Sequence, residues 1–260
     1  MIRFSILGIP VKIRPTFWLV AGFLGFGIGD TRLLVVWVVI VFLSVLAHEL
    51  GHALTARRFG AEVDITLTTL GGLTAWRLPQ GEMTPGRRAI VAAAGSAVGI
   101  VLGLAILGAY LAVGSDGGTS AFVVTMIVWV NVGWGVLNWL PIRPLDGGHL
   151  VTSLLELAVP KRAERIADVI FMISSLAALA AAVRFRLFFV MALAALMLWW
   201  EVSRHLSFTG TARPRGPVEF SYDEPNPTRP ADEPDPTRPA DDPDPAPPPE
   251  EIEPPERPAI

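Results

Sequence analysis

The sequence contains no cysteine, and its 260 residues include only four histidines and two lysines. The absence of cysteine excludes disulfide bonds, thiol nucleophiles and thiolate metal ligands. Any transition-metal site in this chain must therefore be built from histidine and carboxylate side chains.

The composition is that of a membrane protein. Hydrophobic residues make up 52% of the chain, the mean hydropathy is +0.49 and there are eight tryptophans, which is more apolar than an average soluble domain. The formal net charge of −3 conceals two parts of opposite charge. Residues 223–260 hold 12 of the 24 acidic and 3 of the 21 basic side chains, so this tail carries −9 and the remainder carries +6.

Long apolar runs predict about six transmembrane helices, because a helix that crosses a bilayer needs about 20 predominantly apolar residues. The first run is short for this purpose, and it follows Lys12 and Arg14 without a small-residue cleavage site, so we expect an uncleaved span. The predicted spans are residues 15–29, 33–56, 88–113, 121–140, 166–183 and 187–200.

Two stretches outside these runs predict β-structure. Residues 1–14 partly alternate apolar with polar groups and contain Pro10, which favours a short strand or a sheet edge over a helix. In residues 61–79, two β-rich segments flank Gly71 and Gly72, a pattern typical of a hairpin. The predicted fold is therefore an all-α polytopic membrane protein with a small β-hairpin.

The distribution of Lys and Arg predicts the orientation in a cell membrane, since cytoplasmic loops carry an excess of both. With the N-terminus inside, thirteen basic side chains of the apolar part fall in cytoplasmic segments and three fall outside. We therefore expect a multi-pass protein with both termini in the cytoplasm.

The C-terminal residues 211–260 differ from the rest in composition. They contain a nine-residue repeat, DEPNPTRPA and DEPDPTRPA, followed by the degenerate DDPDPAPPP. Proline blocks helices and sheet ladders, the acids repel each other, and little apolar surface is available to bury. The predicted organisation is a membrane domain over residues 1–210 and a disordered cytoplasmic tail over residues 211–260.

The second apolar run ends in LSVLAHELGHALTARR, which contains an HExxH pattern. On a helix, His48 and His52 stand on one face, so each can offer a ring nitrogen to one Zn²⁺ while Glu49 lies beside the open position as a general base. His48 lies about 13 Å along the helix from Arg57, the first cation after the motif. Ionisable groups at that depth are costly without partners or water and by default indicate a functional site.

Two histidines leave zinc a protein ligand short. The best candidate is Asp146 in NWLPIRPLDGGHL, where Pro141 and Pro144 break the fourth span and the following glycines keep the backbone permissive. His149 in the same segment is the alternative ligand. Three further acidic or imidazole groups on the cytoplasmic side, Glu156, Glu201 and His205, are weaker candidates.

Together, HELGH in one span and NWLPIRPLDGG in a later one resemble the site-2 protease family of intramembrane zinc metalloproteases, peptidase family M50. The resemblance covers residues 1–205 and implies one zinc ion per chain on His48, His52 and Asp146, with Glu49 as general base. It also implies that Asn138 lies near the substrate carbonyl. The short loops and the proline-rich tail fit the compact form of the family, which has no PDZ or CBS domain.

The resemblance further implies that the hairpin around Gly71 and Gly72 is membrane-associated and lies beside the active site, where an exposed strand edge could bind an unwound substrate. The alternative for both glycines is a simple tight turn. Two others, Gly99 and Gly103, continue a stripe from Gly95 that predicts close helix packing.

Two functions remain open from the sequence. The first is an intramembrane zinc endopeptidase whose partners are membrane lipid and single-span membrane proteins, such as anti-sigma factors and other tethered regulators; no nucleic-acid partner is expected. The second is a membrane metal-binding protein or transporter that uses the same site. Transport gives Glu49 no role and predicts polar groups along a path to the outer face, which LLVVWVVIVF lacks.

Overall fold

The computed structural model describes residues 1–69, 71–114 and 117–186, together with residues 195, 198, 199, 202 and 203. Within these residues the chain forms four strands and seven α-helices. The strands are β1 (Ile2–Ile6), β2 (Ile9–Ile13), β3 (Glu62–Thr68) and β4 (Gly71–Arg77). The helices are α1 (Pro15–Leu24), α2 (Thr31–Arg58), α3 (Pro85–Val113), α4 (Gly118–Val128), α5 (Trp134–Asn138), α6 (Asp146–Ala158) and α7 (Ala163–Arg184).

Four helical units of the described chain are long and apolar enough to cross a membrane. They are α2, α3, α7 and the continuous unit Gly118–Asn138, in which a π-helical turn at Trp129–Gly133 joins α4 to α5. These units match the second to fifth predicted spans and confirm the polytopic, mainly helical fold. Large apolar side chains on the outer faces, such as Val101, are exposed, as expected of surfaces that contact lipid.

The two remaining predicted spans have different outcomes. The first corresponds to α1 and a 3₁₀ turn at Phe26–Ile28, an apolar segment shorter than the four spanning units. The sixth, residues 187–200, lies largely outside the described residues. The tail predicted over residues 211–260 lies wholly outside them.

The β-structure is more extensive than a hairpin. The four strands form one sheet in the order β1-β2-β3-β4, with antiparallel pairing at both ends and parallel pairing between β2 and β3. Residues 1–14 thus form a complete hairpin, so the prediction of a single short strand or edge was wrong in extent. Pro10 is tolerated in an inner strand because the pairing with β3 begins only at Val11.

One face of the sheet packs against α1 and α2. Ile9, Val11, Ile65 and Leu67 on this face are completely buried, and they join a core that includes Trp37 of α2. The Arg57 guanidinium donates a 2.6 Å hydrogen bond to the carbonyl of Leu7 in the turn between β1 and β2. The sheet therefore lies beside the C-terminal half of α2, the half that contains HELGH.

The glycine stripe of α3 allows close helix contacts, as predicted. Methyl groups at Gly99 and Gly103 would lie 3.3 Å from the carbonyl oxygen and 3.0 Å from Cβ of Asn131. Asn131 in turn donates a 2.8 Å hydrogen bond to Ser44 of α2, and both side chains are buried. Asn131 therefore makes an interhelical bond.

Helix α6 was not predicted from the sequence. One ion pair fixes its C-terminal end, and a second fixes the loop before it. Near its C-terminal end, Glu156 pairs with Arg88 of α3. In the loop before its N-terminal end, Arg143 donates a 2.8 Å hydrogen bond to the buried Asp168 of α7, and its guanidinium lies 4.5 Å from the ring centroid of Phe171. The loop that leads into Asp146 is thereby fixed against α7.

Candidate active site

Helix α2 brings three functional side chains of HELGH into the interior of the protein. Asp30 caps the helix through hydrogen bonds from the amides of Arg32 and Leu33. Four residues apart on one face, His48 and His52 point the same way, and their ring centroids lie 4.7 Å apart. Glu49 is buried, as is His52.

Asp146 reaches the same place from the first turn of α6. The helical unit before it ends at Asn138, and residues 139–145 return the chain towards α2. A methyl group at Gly147 would overlap the carbonyl groups of Trp139 and Leu140. Glycine is therefore needed here for close packing of the loop, and not for the permissive backbone proposed from the sequence.

The structure brings His48, His52 and Asp146 together as a group that could hold a metal ion. The two Nε2 atoms lie 3.1 Å apart, and they lie 3.1 Å (His48) and 3.2 Å (His52) from Oδ2 of Asp146. Ligands bound to one tetrahedral Zn²⁺ at about 2.0–2.1 Å would be roughly 3.3 Å apart. The three atoms thus form a nearly equilateral triangle of the right size, and their chemistry is that of a zinc site.

The orientation of His52 is set by a backbone carbonyl. Its Nδ1 atom lies 2.7 Å from the carbonyl oxygen of Val91 on α3. Because a carbonyl can only accept, Nδ1 carries the proton and Nε2 keeps its lone pair for a metal. A methyl group at Gly95, one turn further along α3, would overlap the imidazole, so the glycine makes room for the ring.

Asp146 is held by two polar side chains. Asn138 donates a 2.6 Å hydrogen bond to Oδ2, and Ser96 of α3 donates one of 3.3 Å to the same atom. Hydrogen bonds donated to a carboxylate favour its ionised form. The carboxylate is therefore ionised, as a metal ligand must be.

Glu49 lies beside the ligand group but is not part of it. Its Oε2 atom accepts a 2.7 Å hydrogen bond from the hydroxyl of Thr74 on β4. A methyl group at Gly72, two residues earlier on the same strand, would overlap the Glu49 carboxyl. The carboxylate is thus enclosed between α2 and β4, next to the predicted ligands.

The other predicted residues occupy different positions. Asn138 lies at the site, where its amide nitrogen is 3.3 Å from Nε2 of His48 in addition to its bond to Asp146. Gly71 is the first residue of β4, with a φ of +117° and open space around it, whereas Gly72 is the glycine that approaches Glu49. The alternative ligand His149 is exposed and lies outside the group.

Three contacts at the site were not found from the sequence: the Thr74 hydroxyl, the Ser96 hydroxyl and the Val91 carbonyl. Thr74 follows the noticed pair Gly71 and Gly72, and an alternating strand places it on the same face as Gly72. That signal was available. The contact of Ser96 with Asp146 depends on helix packing that no local pattern records.

Known proteins similar in sequence to this chain include zinc metalloproteases, as the ligand geometry suggests. The family model of peptidase family M50 matches residues 36–122 and 115–181, a region that contains all three predicted ligands. A Synechocystis protein named "Putative zinc metalloprotease sll0528" is 32% identical over 167 residues, which is 58% of this chain and 43% of that protein. The Mycobacterium tuberculosis protein "Putative zinc metalloprotease Rip3" is 37% identical over 148 residues, or 53% of this chain and 37% of that protein. The chain therefore spans about two fifths of the length of these relatives.

The fold also matches a solved structure. The site-2 protease from Methanocaldococcus jannaschii superposes with a TM-score of 0.54, covering 82% of this chain and 98% of that chain at 22% sequence identity. The fold of this chain is thus one that a known protein adopts.

Proposed function

The chain belongs to peptidase family M50, the site-2 protease family, and on this basis we propose that it is an intramembrane zinc endopeptidase. The proposed reaction is hydrolysis of a peptide bond in or near the transmembrane segment of another membrane protein. The proposed substrates are single-span proteins, including anti-sigma factors and other regulators that a membrane anchor holds in place.

The observation that carries this proposal is the convergence of His48, His52 and Asp146 with a buried Glu49 beside them. Ionisable groups at membrane depth are energetically costly. The presence of four of them together therefore indicates a functional site. Transport of a metal would account for the three ligands. It gives no role to Glu49, which lies outside the ligand group and has its own hydrogen-bond partner.

The proposed chemistry follows from the positions of the side chains. Zinc, when bound, supplies the Lewis acidity that polarises a carbonyl and lowers the pKa of water to about 7. Glu49 takes a proton from water as the water oxygen bonds to the scissile carbonyl carbon, and gives that proton to the departing amine as the C–N bond breaks. We further propose that Asn138, whose amide lies against the ligand group, donates to the substrate carbonyl.

Substrate binding requires a strand rather than a helix, because a helix hides its carbonyls in hydrogen bonds. Strand β4 is an edge of the sheet, so its outer side can pair with an unwound substrate. Gly72 on this strand lies against Glu49. A segment added along β4 would therefore run past the general base.

The proposed topology places both termini in the cytoplasm, with the site near the cytoplasmic end of α2. Its support is the excess of basic residues in the segments assigned to that side and the position of Arg57 and Arg58 in the last turn of α2. Reporter fusions at the N-terminus and after residue 114 should report opposite sides of the membrane. The same side for both would contradict this topology.

The function is tested by co-expressing the protein with tagged single-span membrane proteins. Wild type is expected to shorten at least one of them, and Glu49→Gln, which keeps the side-chain size but cannot act as a base, is expected to shorten none. Equal processing by the two forms would contradict the proposal.

A further inference from the structure

Two alternate residues of β4 enclose the Glu49 carboxylate. The hydroxyl of Thr74 donates to Oε2 at 2.7 Å, and the absent side chain of Gly72 leaves the space that the carboxyl group fills. Within the part of the chain that the structure describes, no other hydrogen bond reaches this carboxylate. Glu49 is only 5% exposed, so water cannot readily replace the bond.

The register of the sheet shows why these two positions differ from their neighbours. Directly paired residues share a face, and Ile65 of β3 pairs with Val11 on one side and Thr74 on the other. The next row of the same face runs from Ile13 through Leu67 to Gly72. In both rows the residues on β2 and β3 are apolar. The residues on β4, the strand that faces Glu49, are threonine and glycine.

We propose that Thr74 is a positioning residue for Glu49, so that β4, the strand proposed above to bind the substrate, also orients the general base. This inference rests on the proposed function of the site. A buried glutamate has several rotatable bonds, and without a fixed partner its carboxylate is free to turn towards the nearby histidines. The hydrogen bond from Thr74 holds Oε2 on the sheet side of the site, clear of the ligand group.

The distances from the Thr74 hydroxyl to two Glu49 oxygens distinguish positioning of the carboxylate from a purely structural contact. The Thr74 hydroxyl also lies 3.1 Å from the backbone carbonyl of Glu49, a contact that would only tie the strand to α2. A hydroxyl has one proton to donate, and it favours the carboxylate, which is closer and charged. The bond to the side chain therefore dominates, and its loss should affect the chemical step more than the fold.

Because β4 both carries Thr74 and is proposed to pair with the substrate, substrate binding should affect the position of Glu49. A substrate segment paired with the outer edge of β4 would fix the backbone on which Thr74 stands, and so would fix Glu49 at the moment when a peptide bond is nearby. Removal of the hydroxyl should accordingly lower kcat and leave KM nearly unchanged, because the edge that pairs with the substrate is intact.

The experiment compares Thr74→Val, which removes the hydroxyl at constant shape, with Thr74→Ser, which keeps it. Thr66→Val is the matched control, because Thr66 pairs with Leu73 and lies on the opposite face of the sheet. Cleavage of a tagged single-span protein, zinc content and thermal stability are measured for each purified full-length protein, with Glu49→Gln in parallel. Thr74→Val is expected to lose about tenfold or more in kcat, which corresponds to one hydrogen bond to a charged group, with zinc content unchanged.

Each outcome has a definite meaning. A kcat near that of wild type in both Thr74→Ser and Thr66→Val supports the inference, provided that Thr74→Val shows the expected loss. Wild-type kcat in Thr74→Val would overturn it, as would a raised KM alone, loss of zinc or unfolding of that variant, since these would show a docking or structural role. If wild type cleaves no better than Glu49→Gln, the proposed function itself has failed.

Discussion

Oδ2 of Asp146 lies 3.1 Å from Nε2 of His48, although the two residues lie on different helices that are far apart in the sequence. His48 stands deep in α2, whereas Asp146 opens α6 after a loop that returns from the end of α5. The contact closes a set of three ligand atoms with His52. Its size matches the spacing of ligands on one tetrahedral zinc ion.

Asp146→Ala should remove most of the zinc from the purified protein, because two histidines alone provide too few ligands for a tight site. Elemental analysis should find about one zinc per wild-type chain and much less in the variant. His149→Ala is the control, since this exposed histidine lies on the same helix but outside the ligand group. Full zinc in Asp146→Ala would remove Asp146 from the ligand set.

Asn138→Leu should weaken zinc binding by about 10–100-fold, since it removes the 2.6 Å hydrogen bond that orients Asp146. A competition titration with a coloured zinc chelator measures the change. Asn131→Leu is the matched control in the same helical unit, because Asn131 bonds to Ser44 and not to a ligand. Unchanged zinc affinity in Asn138→Leu, with impaired cleavage only, would limit Asn138 to substrate binding.

Gly95→Ala should be strongly deleterious and Gly108→Ala harmless, although both change a glycine of α3 to alanine. A methyl group at Gly95 would overlap the His52 imidazole, whereas nothing lies within 4 Å of the methyl position at Gly108. Alanine also favours a helix over glycine by about 1 kcal/mol, so Gly108→Ala should match or exceed wild-type stability. Zinc content and thermal unfolding in detergent test the pair, and full zinc in Gly95→Ala would contradict the described packing.

Arg143→Ala should lower both stability and zinc content. It removes the 2.8 Å hydrogen bond to the buried Asp168 and the contact of the guanidinium with the Phe171 ring. Loss of one partner of a buried ion pair costs about 3–5 kcal/mol, and the loop that carries Asp146 loses its anchor to α7. The control is Arg165→Ala, at an exposed position of α7. Equal melting temperatures for the two variants would show that the ion pair does not hold the loop.

Local patterns in the sequence predicted the spans and the HExxH motif because each depends on residues close together in the chain. The apolar runs predicted the four spanning units to within a few residues, and the i and i+4 spacing placed His48 and His52 on one face. Asp146 could be proposed because few acidic groups were available at the right depth. Its carboxylate is found at the histidines.

The elements that were missed depend on contacts between distant residues. The parallel pairing of β2 with β3 joins segments separated by α1 and α2, so residues 1–14 alone indicate no more than a strand. The turn of the first hairpin uses Leu7 at a φ of +52°, a position where leucine is uncommon and gives no turn signal. The first turn of α6 contains Gly147 and Gly148, which are typical of loops, so the start of this helix was not predicted. Both glycines allow close packing.

Zinc-dependent cleavage by Glu49 is tested most directly with purified protein in liposomes together with a tagged single-span membrane protein that it shortens in cells. Mass spectrometry of the products should locate a cut in or near the transmembrane segment of the substrate. Chelation of zinc should stop the reaction and added zinc should restore it, while Glu49→Gln, holding as much zinc as wild type, should release no product. Cleavage by zinc-loaded Glu49→Gln at the wild-type rate would contradict the account.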